Sequence, residues 1–291
     1  MDLMIFLNGN FVRTGEAKIS VYDHGFLYGD GAFETLRVYN KHVFKYEEHI
    51  QRLYHSLKQM YMDLSVAPRT IHKAIKLLLQ YNQLSDAYVR ITVTRGEGPI
   101  GTDVSLCPHH TVLVVAEMAH VYPPNWHGQG VSVIISKHRK IPDICIPANM
   151  KSCNYLSQVL ARKEANDQQA QEAIMLNLEG YVTEGASSNI FIWAKKKLLT
   201  PALSSGILDG ITRRTVIELA ERKGINVEER HIIPKEIYGA DECFLTNTSM
   251  EIMPVVFCDG TKIGNGKPGK VTRSLMKDYL KLVEEEIVKE R

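Results

Sequence analysis

The chain has 291 residues, of which 44% are hydrophobic and 23% charged, a composition typical of a globular protein with sizeable cores. The formal net charge is +2 with acidic and basic residues interspersed, which argues against a nucleic-acid or anionic-membrane partner. Five cysteines without a CxxC pair and eleven histidines without an HExxH motif predict neither a disulfide framework nor a metal site. The start is not signal-like and no long apolar run follows, so we expect a protein of the reducing cytoplasm.

The first 120 residues alternate between strand and helix patterns. An Asn8-Gly9 turn after a short apolar strand predicts a hairpin, and residues 33–39 alternate as a strand does. Apolar residues at core spacing predict a helix over residues 46–60. The remaining elements predicted here are a helix at 71–81 and strands at 87–94 and 111–117.

Two prolines and two glycines in the stretch VYPPNWHGQG mark a change in composition. We therefore predict an N-terminal domain over residues 1–120, a linker over 121–130 and a C-terminal domain over 131–291. Elements predicted in the second half are strands at 131–136, 172–178, 181–183 and 242–246, and helices after residue 155, from about residue 212 and from residue 272.

One lysine and one glutamate lie where a cofactor would need them. Lys151 lies between a proline-containing turn and a helix whose apolar residues Leu156, Val159 and Leu160 recur at helical spacing. Glu184 ends the second strand of a predicted hairpin. A lysine and a carboxylate that face one pocket are what pyridoxal 5′-phosphate (PLP) requires, the first for a Schiff base and the second for the pyridine nitrogen.

Two further features suit a phosphate group. The loop at Gly210 enters a helix near Thr212, and backbone amides at the positive end of a helix bind anions. Arg52 lies on the flank of the helix predicted for residues 46–60. Taken singly, each has an ordinary explanation, a capped helix for the first and a solvated arginine for the second.

Seven blocks of the sequence follow the order of one enzyme family. They are DHGFLYGDGAFETLRVY, EEHIQRLYHS, YVRITVTRG, MKSCNYLSQVLARKEA, EAIMLNLEGYVTEGASSNIF, GILDGITRR and FLTNTSMEIMPV. The chain resembles the class IV aminotransferases, PLP enzymes of fold type IV that include branched-chain aminotransferases, D-amino acid aminotransferases and 4-amino-4-deoxychorismate lyases. The resemblance implies an α/β (α+β) fold with a smaller N-terminal α/β domain, a larger C-terminal pseudo-barrel domain and the cofactor between them.

The resemblance assigns cofactor roles to matching positions. Lys151 would form the Schiff base with PLP and carry the proton that moves between substrate and cofactor, and Glu184 would pair with the pyridine nitrogen. Tyr155 would hydrogen-bond the phenolic oxygen, and Leu208 would pack against the ring. The phosphate would be held by Arg52, the backbone of Ile211 and Thr212, and the Thr248 hydroxyl.

Substrate-side residues implied by the resemblance are Tyr28, Phe33, Thr35, Tyr88, Arg90, Asn247 and Ser249. Tyr88 and Arg90 favour a branched-chain or other hydrophobic L-amino acid, with a 2-oxo acid such as 2-oxoglutarate. Two departures favour a 4-amino-4-deoxychorismate lyase instead, namely Thr35 where branched-chain enzymes usually have glycine and Asn247 where they usually begin a Gly-Thr-Ala turn. The Thr35 hydroxyl would assist proton transfer in pyruvate elimination, or it would only narrow the pocket.

A D-selective enzyme is the third alternative. D-amino acid aminotransferases hold the substrate carboxylate with an Arg-x-His in the loop after VTRG, whereas this loop reads EGPIGTD.

The intact pair of Lys151 and Glu184 argues against a non-catalytic binding protein. The resemblance also implies a homodimer in which Tyr28 completes the pocket of the partner subunit. We therefore predict a cytoplasmic PLP-dependent aminotransferase that binds amino acids and keto acids, without a metal, nucleic-acid or membrane partner.

Overall fold

The computed structural model describes residues 2–119 and 122–290, which fall into two compact units. Unit 1 comprises the described part of residues 1–120, 150–154 and 286–291, and unit 2 comprises the described part of residues 121–149 and 155–285. Residue 121, at which the predicted linker begins, lies outside the described ranges, as do residues 1, 120 and 291. The predicted domain bounds stay a prediction.

Unit 1 is built on an antiparallel sheet with strand order β2-β1-β6-β5-β3-β4 in its described residues. The strands are β1 Met4–Leu7, β2 Asn10–Arg13, β3 Gly31–Tyr39, β4 His42–Val43, β5 Ala87–Thr94 and β6 Thr111–Met118. The helices are α1 His24–Tyr28, α2 Tyr46–Gln59 and α3 Pro68–Tyr81.

Strand β3 separates the core of unit 1 from an open sheet face. Because successive side chains of a strand point to opposite sides, Ala32, Leu36 and Val38 enter the core together with the apolar residues of α2 and α3. Phe33 and Thr35 point to the other side of the sheet. This alternation places the two residues on the face that the candidate site uses.

Unit 2 contains a mixed sheet with strand order β12-β11-β10-β13-β14-β7-β8-β9 and β15 paired with β14, within the described ranges. Its strands are β7 Val131–Arg139, β8 Glu172–Leu176, β9 Val182–Gly185, β10 Asn189–Ala194, β11 Lys197–Pro201, β12 Val227–Arg230, β13 Glu242–Asn247, β14 Glu251–Cys258 and β15 Thr261–Lys262. Its helices are α4 Pro124–Gln129, α5 Leu156–Asp167, α6 Ile211–Arg222, α7 Pro234–Tyr238 and α8 Lys270–Glu290, whose last residues group with unit 1.

Several predicted elements differ at their ends from the observed ones. Helix α3 begins at Pro68, three residues before the predicted start, because proline is favoured in the first helical turn. Strand β8 ends at Leu176, since the Asn177 side chain accepts a hydrogen bond from the Tyr181 amide at 2.8 Å and closes the turn early. In α5 the leucines and valine that suggested a helix are exposed, and the buried face consists of Ala161 and Ala165.

No helix in residues 2–119 and 122–290 is long and apolar enough to cross a membrane. Over the same residues, no three His, Cys, Asp or Glu side chains are grouped so that they could hold a metal ion. All five cysteines lie in the described part of the chain and are free thiols.

Candidate active site

The backbone of Lys151 is anchored to both a strand and a helix of unit 1. The Phe33 amide of β3 donates to the Lys151 carbonyl at 3.0 Å, and the Lys151 amide donates to Ser56 Oγ of α2 at 3.1 Å. Ala32 and Ser152 form an antiparallel bridge beside them. These contacts hold the lysine against the edge of β3 although it is more than a hundred positions away in the chain.

The side chains around Phe33 form a wall on the open face of the unit 1 sheet. Lys151 Nζ lies 4.7 Å and the Arg90 guanidinium carbon 3.8 Å from the centre of the Phe33 ring. Thr35 pairs with Arg90 across β3 and β5, so both side chains lie on the same face. Tyr88 lies two positions before Arg90 on that face. The structure thus brings together five residues that the sequence analysis assigned to the site.

Tyr28 is the last residue of α1 and is partly exposed. Its hydroxyl accepts a hydrogen bond from the Gly101 amide at 2.9 Å, and its ring packs edge-on against His24 with centroids 5.0 Å apart. Gly101 belongs to the EGPIGTD loop. Tyr28 is therefore fixed to the loop that the sequence analysis linked to substrate choice.

Arg52 is bound to a buried carboxylate. Its Nε donates to Glu34 Oε1 at 2.6 Å and its Nη2 donates to Glu34 Oε2 at 2.9 Å. His49 Nδ1 lies 2.8 Å from the same Oε2. The exposed fractions of the three side chains are 0% for Glu34, 2% for His49 and 10% for Arg52. The arginine and the glutamate thus make a two-point, charge-assisted contact away from water.

Opposing effects act on the ionisation of this cluster. Burial raises the pKa of Glu34, but the Arg52 guanidinium and the His49 hydrogen bond outweigh it and hold that pKa well below its usual range. Burial lowers the pKa of His49 despite the neighbouring carboxylate. At neutral pH the cluster is therefore an ionised carboxylate that accepts hydrogen bonds from an arginine and from a neutral histidine.

Glu184 of β9 is surrounded by donors in unit 2. Lys140 Nζ forms an ion pair with Oε1. The Leu208 amide donates to Oε2 at 2.9 Å, and Asn189 Nδ2 lies 3.3 Å from the same oxygen. The carboxyl group is buried. An acid held in this way acts as a hydrogen-bond acceptor, which is what the partner of a pyridine N–H must be.

Asn189 connects this acid to the start of α6. Its Nδ2 also donates to the Leu208 carbonyl at 3.0 Å. Gly210 is the N-cap residue of α6 and provides no side-chain cap, while Ile211 and Thr212 follow as buried residues of the first turn. A helix start of this kind presents backbone amides that suit a phosphate.

The turn after β13 contains three more predicted site residues. Asn247 Oδ1 accepts hydrogen bonds from the Ser249 amide at 2.8 Å and the Met250 amide at 2.7 Å, so it closes the turn that contains Thr248. Tyr155, which directly precedes α5, lines a cavity of about 590 Å³ in unit 2. Asn247 thus shapes the turn through its side chain, a role that glycine cannot have.

Sequence reasoning missed several residues with direct contacts in these clusters, among them Glu34, His49, Ser56, Lys140 and Asn189. For Glu34 a signal existed, because an acid on the core side of an alternating strand requires a cationic partner. Lys140 had no comparable signal, since its partner Glu184 lies 44 positions further along the chain.

The residue set fits PLP in its chemistry. It contains an amine at Lys151, a buried acceptor at Glu184, an arginine at Arg52 and a helix start after Gly210. A model of the family described as Amino-transferase class IV matches residues 31–258. The chain belongs to this family.

Similarity to individual class IV aminotransferases extends over nearly the whole chain. A Methanocaldococcus jannaschii protein named as a candidate branched-chain-amino-acid aminotransferase is 41% identical over 278 residues, 95% of each chain. The D-alanine aminotransferase of Bacillus licheniformis is 34% identical over 276 residues, 94% of each chain. The solved branched-chain amino acid aminotransferase of Escherichia coli is 33% identical with a TM-score of 0.94, and the match covers 97% of this chain and 95% of that one.

A second solved structure, the PLP form of the branched-chain amino acid aminotransferase of Thermobaculum terrenum, has a TM-score of 0.86 at 29% identity and covers 98% and 95% of the two chains. These similarities confirm the predicted α/β class of fold type IV, the aminotransferase activity and the dependence on PLP. The enzyme transfers an amino group between an amino acid and a keto acid.

Proposed function

We propose that this enzyme transfers the amino group of a branched-chain or other hydrophobic L-amino acid to a 2-oxo acid such as 2-oxoglutarate. The observation that carries the proposal is the wall in which Phe33, Thr35, Tyr88 and Arg90 share the sheet face beside Lys151. The aromatic rings offer apolar surface to an aliphatic side chain, and the Arg90 guanidinium offers two-point contact to the distal carboxylate of the acceptor. The names of the relatives support the same substrate class.

We assign separate cofactor roles to the predicted site residues. Lys151 is assigned to covalent attachment of PLP and Arg52 to its phosphate. Glu184 is assigned to the pyridine nitrogen, and the other residues assigned to the cofactor are Tyr155, Leu208, Ile211, Thr212 and Thr248. When bound, PLP supplies an electron sink that stabilises negative charge at the substrate Cα. Lys151 would take the Cα proton and return it on the cofactor side, while Glu184 would keep the pyridine nitrogen protonated.

We also propose a homodimer in which Tyr28 completes the pocket of the partner subunit. Large apolar side chains stand exposed on both units, with Val21 and Phe26 in unit 1 and Leu156 and Val159 in unit 2. Exposed apolar groups of this size favour burial against another protein surface. A cytoplasmic location is part of the proposal, and the five free thiols support it.

Half-reactions with separate substrates test the proposal. The PLP form of the enzyme is mixed with L-leucine, D-alanine or aminodeoxychorismate, and conversion to the pyridoxamine form is followed by absorbance. We expect L-leucine to convert the enzyme fastest, and 2-oxoglutarate to restore the starting spectrum. Faster conversion by D-alanine would replace the L-selective proposal, and pyruvate release from aminodeoxychorismate without conversion would show a lyase.

A Lys151→Ala variant tests the assigned lysine. Borohydride treatment should fix cofactor to Lys151 in the wild type and not in the variant, whose turnover should fall at least about 1000-fold. Cofactor fixed at another lysine of the wild type would contradict the assignment.

A further inference from the structure

We propose that Glu34, supported by His49, is a positioning residue that aims the Arg52 guanidinium at the cofactor phosphate. The inference rests on the proposed role of Arg52 in phosphate binding and adds the two residues that orient it. It joins two sequence blocks, FET in β3 and EEHIQRL in α2, through one buried cluster.

The geometry of the contact fixes the direction of the arginine. A guanidinium group is planar and presents its donors in a rigid fork. Glu34 occupies the Nε and Nη2 edge at 2.6 and 2.9 Å, so the plane of the group and the direction of Nη1 are both set. The carboxylate cannot turn freely because His49 Nδ1 lies 2.8 Å from its Oε2.

The same helix turn also places the reactive lysine. Ser56 Oγ donates to the Arg52 carbonyl at 3.0 Å and accepts from the Lys151 amide at 3.1 Å. Ser56 is fully buried. Ser56 thus links the backbones of Arg52 and Lys151 and keeps the distance between them constant. A cofactor that is held by the lysine at one end and by the arginine at the other requires a constant distance.

Positioning and charge predict opposite effects when Glu34 is neutralised. If Glu34 acted only through its charge, its removal would leave Arg52 a stronger positive field and would tighten phosphate binding. If Glu34 orients the fork, its removal frees a long side chain that must be ordered again on binding, which weakens phosphate binding. The sign of the change in PLP affinity therefore separates the two roles.

The test compares dissociation constants of the apoenzyme for PLP and for pyridoxal, which lacks the phosphate. For Glu34→Gln we expect the dissociation constant for PLP to rise about 10- to 100-fold, the size of a hydrogen bond to a charged group, while that for pyridoxal changes little. In Arg52→Met the rise should be at least as large. The double variant should be no worse than Arg52→Met alone, because Glu34 acts through Arg52.

Asp30→Asn is the matched control. Asp30 forms a similar two-point pair with buried Arg95 in the same unit, so Asp30→Asn breaks the same kind of ion pair at a different arginine. We expect this control to leave the ratio of PLP to pyridoxal affinity unchanged. If Glu34→Gln does not fold, His49→Gln tests the same cluster, with an expected rise of several-fold for PLP only.

The outcomes separate this inference from the proposed function. Unchanged PLP affinity in Arg52→Met would overturn the phosphate role of Arg52 and the inference with it. A loss in Arg52→Met without a loss in Glu34→Gln, or tighter PLP binding by Glu34→Gln, would overturn the positioning role and leave the phosphate role intact. Equal losses for PLP and pyridoxal would identify Glu34 as a structural residue and would also overturn the inference.

Discussion

At the scale of single residues, the buried pair of Glu34 and His49 makes stability depend on pH. Their pKa values in the folded protein lie below the ordinary values of 4.5 and 6.5. Below about pH 6.5 the unfolded chain therefore binds more protons than the folded chain. The contribution of each group is present above its ordinary pKa and is lost as the pH falls. We expect the free energy of unfolding to decrease first through His49 and then, below about pH 4.5, through Glu34.

Urea unfolding between about pH 7 and pH 4 measures this dependence. In His49→Gln the free energy of unfolding should decrease less between about pH 6.5 and pH 5 than in the wild type, because glutamine binds no proton in that range. If the free energy of unfolding fell equally steeply with pH in the two proteins, the lowered pKa of His49 would be contradicted.

At the scale of elements, the start of α6 requires a residue without a side chain at position 210. The backbone of Gly210 is extended and open to any residue, but a Cβ at this position would lie 2.0 Å from Asn189 Oδ1. Gly210→Ala must therefore displace Asn189, which binds both the Leu208 carbonyl and Glu184. We expect PLP affinity to fall about 10-fold, the size of one or two lost hydrogen bonds, as measured by titration of the apoenzyme.

Gly224→Ala, beyond the other end of α6, is the control for this substitution. Gly224 has a φ of +71° with open space around it, so alanine there strains the backbone without a clash. The control should lose about 1 kcal/mol of stability and keep its PLP affinity. A loss of PLP affinity in Gly224→Ala equal to that in Gly210→Ala would mean that helix stability, and not Asn189, controls the site.

At the scale of the whole molecule, activity is expected to depend on association of two chains. Phe26 is 74% exposed and lies two positions before Tyr28, the residue proposed to reach the partner subunit. Phe26→Glu places a charge in the proposed interface, so we expect monomers in sedimentation or light-scattering experiments and a parallel loss of transaminase activity. Tyr61→Glu is the control, because Tyr61 is an aromatic residue that is 90% exposed and far from Phe26 in the sequence. This variant should remain dimeric and active. A dimeric, active Phe26→Glu would contradict this interface.

The sequence by itself determined several of the elements and the chemistry of the cofactor. The strand predicted at 87–94 is β5, and α2 begins at the predicted residue 46, because alternation and helical spacing reflect local backbone geometry. The order of seven blocks identified a PLP enzyme, since several of the blocks contain residue types that the cofactor requires, such as Lys151, Glu184 and Arg52. Residue types alone also placed Lys151 and Glu184 among the candidates for the site.

Only the tertiary structure decided which side chains meet. Arg52 pairs with Glu34, 18 positions earlier, and Glu184 pairs with Lys140, 44 positions earlier. Asn189 explains why residue 210 is glycine. A sequence pattern shows which face of an element is buried, but it does not show which residue of another element lies opposite. That choice depends on strand register and helix packing, which form only when distant parts of the chain come together.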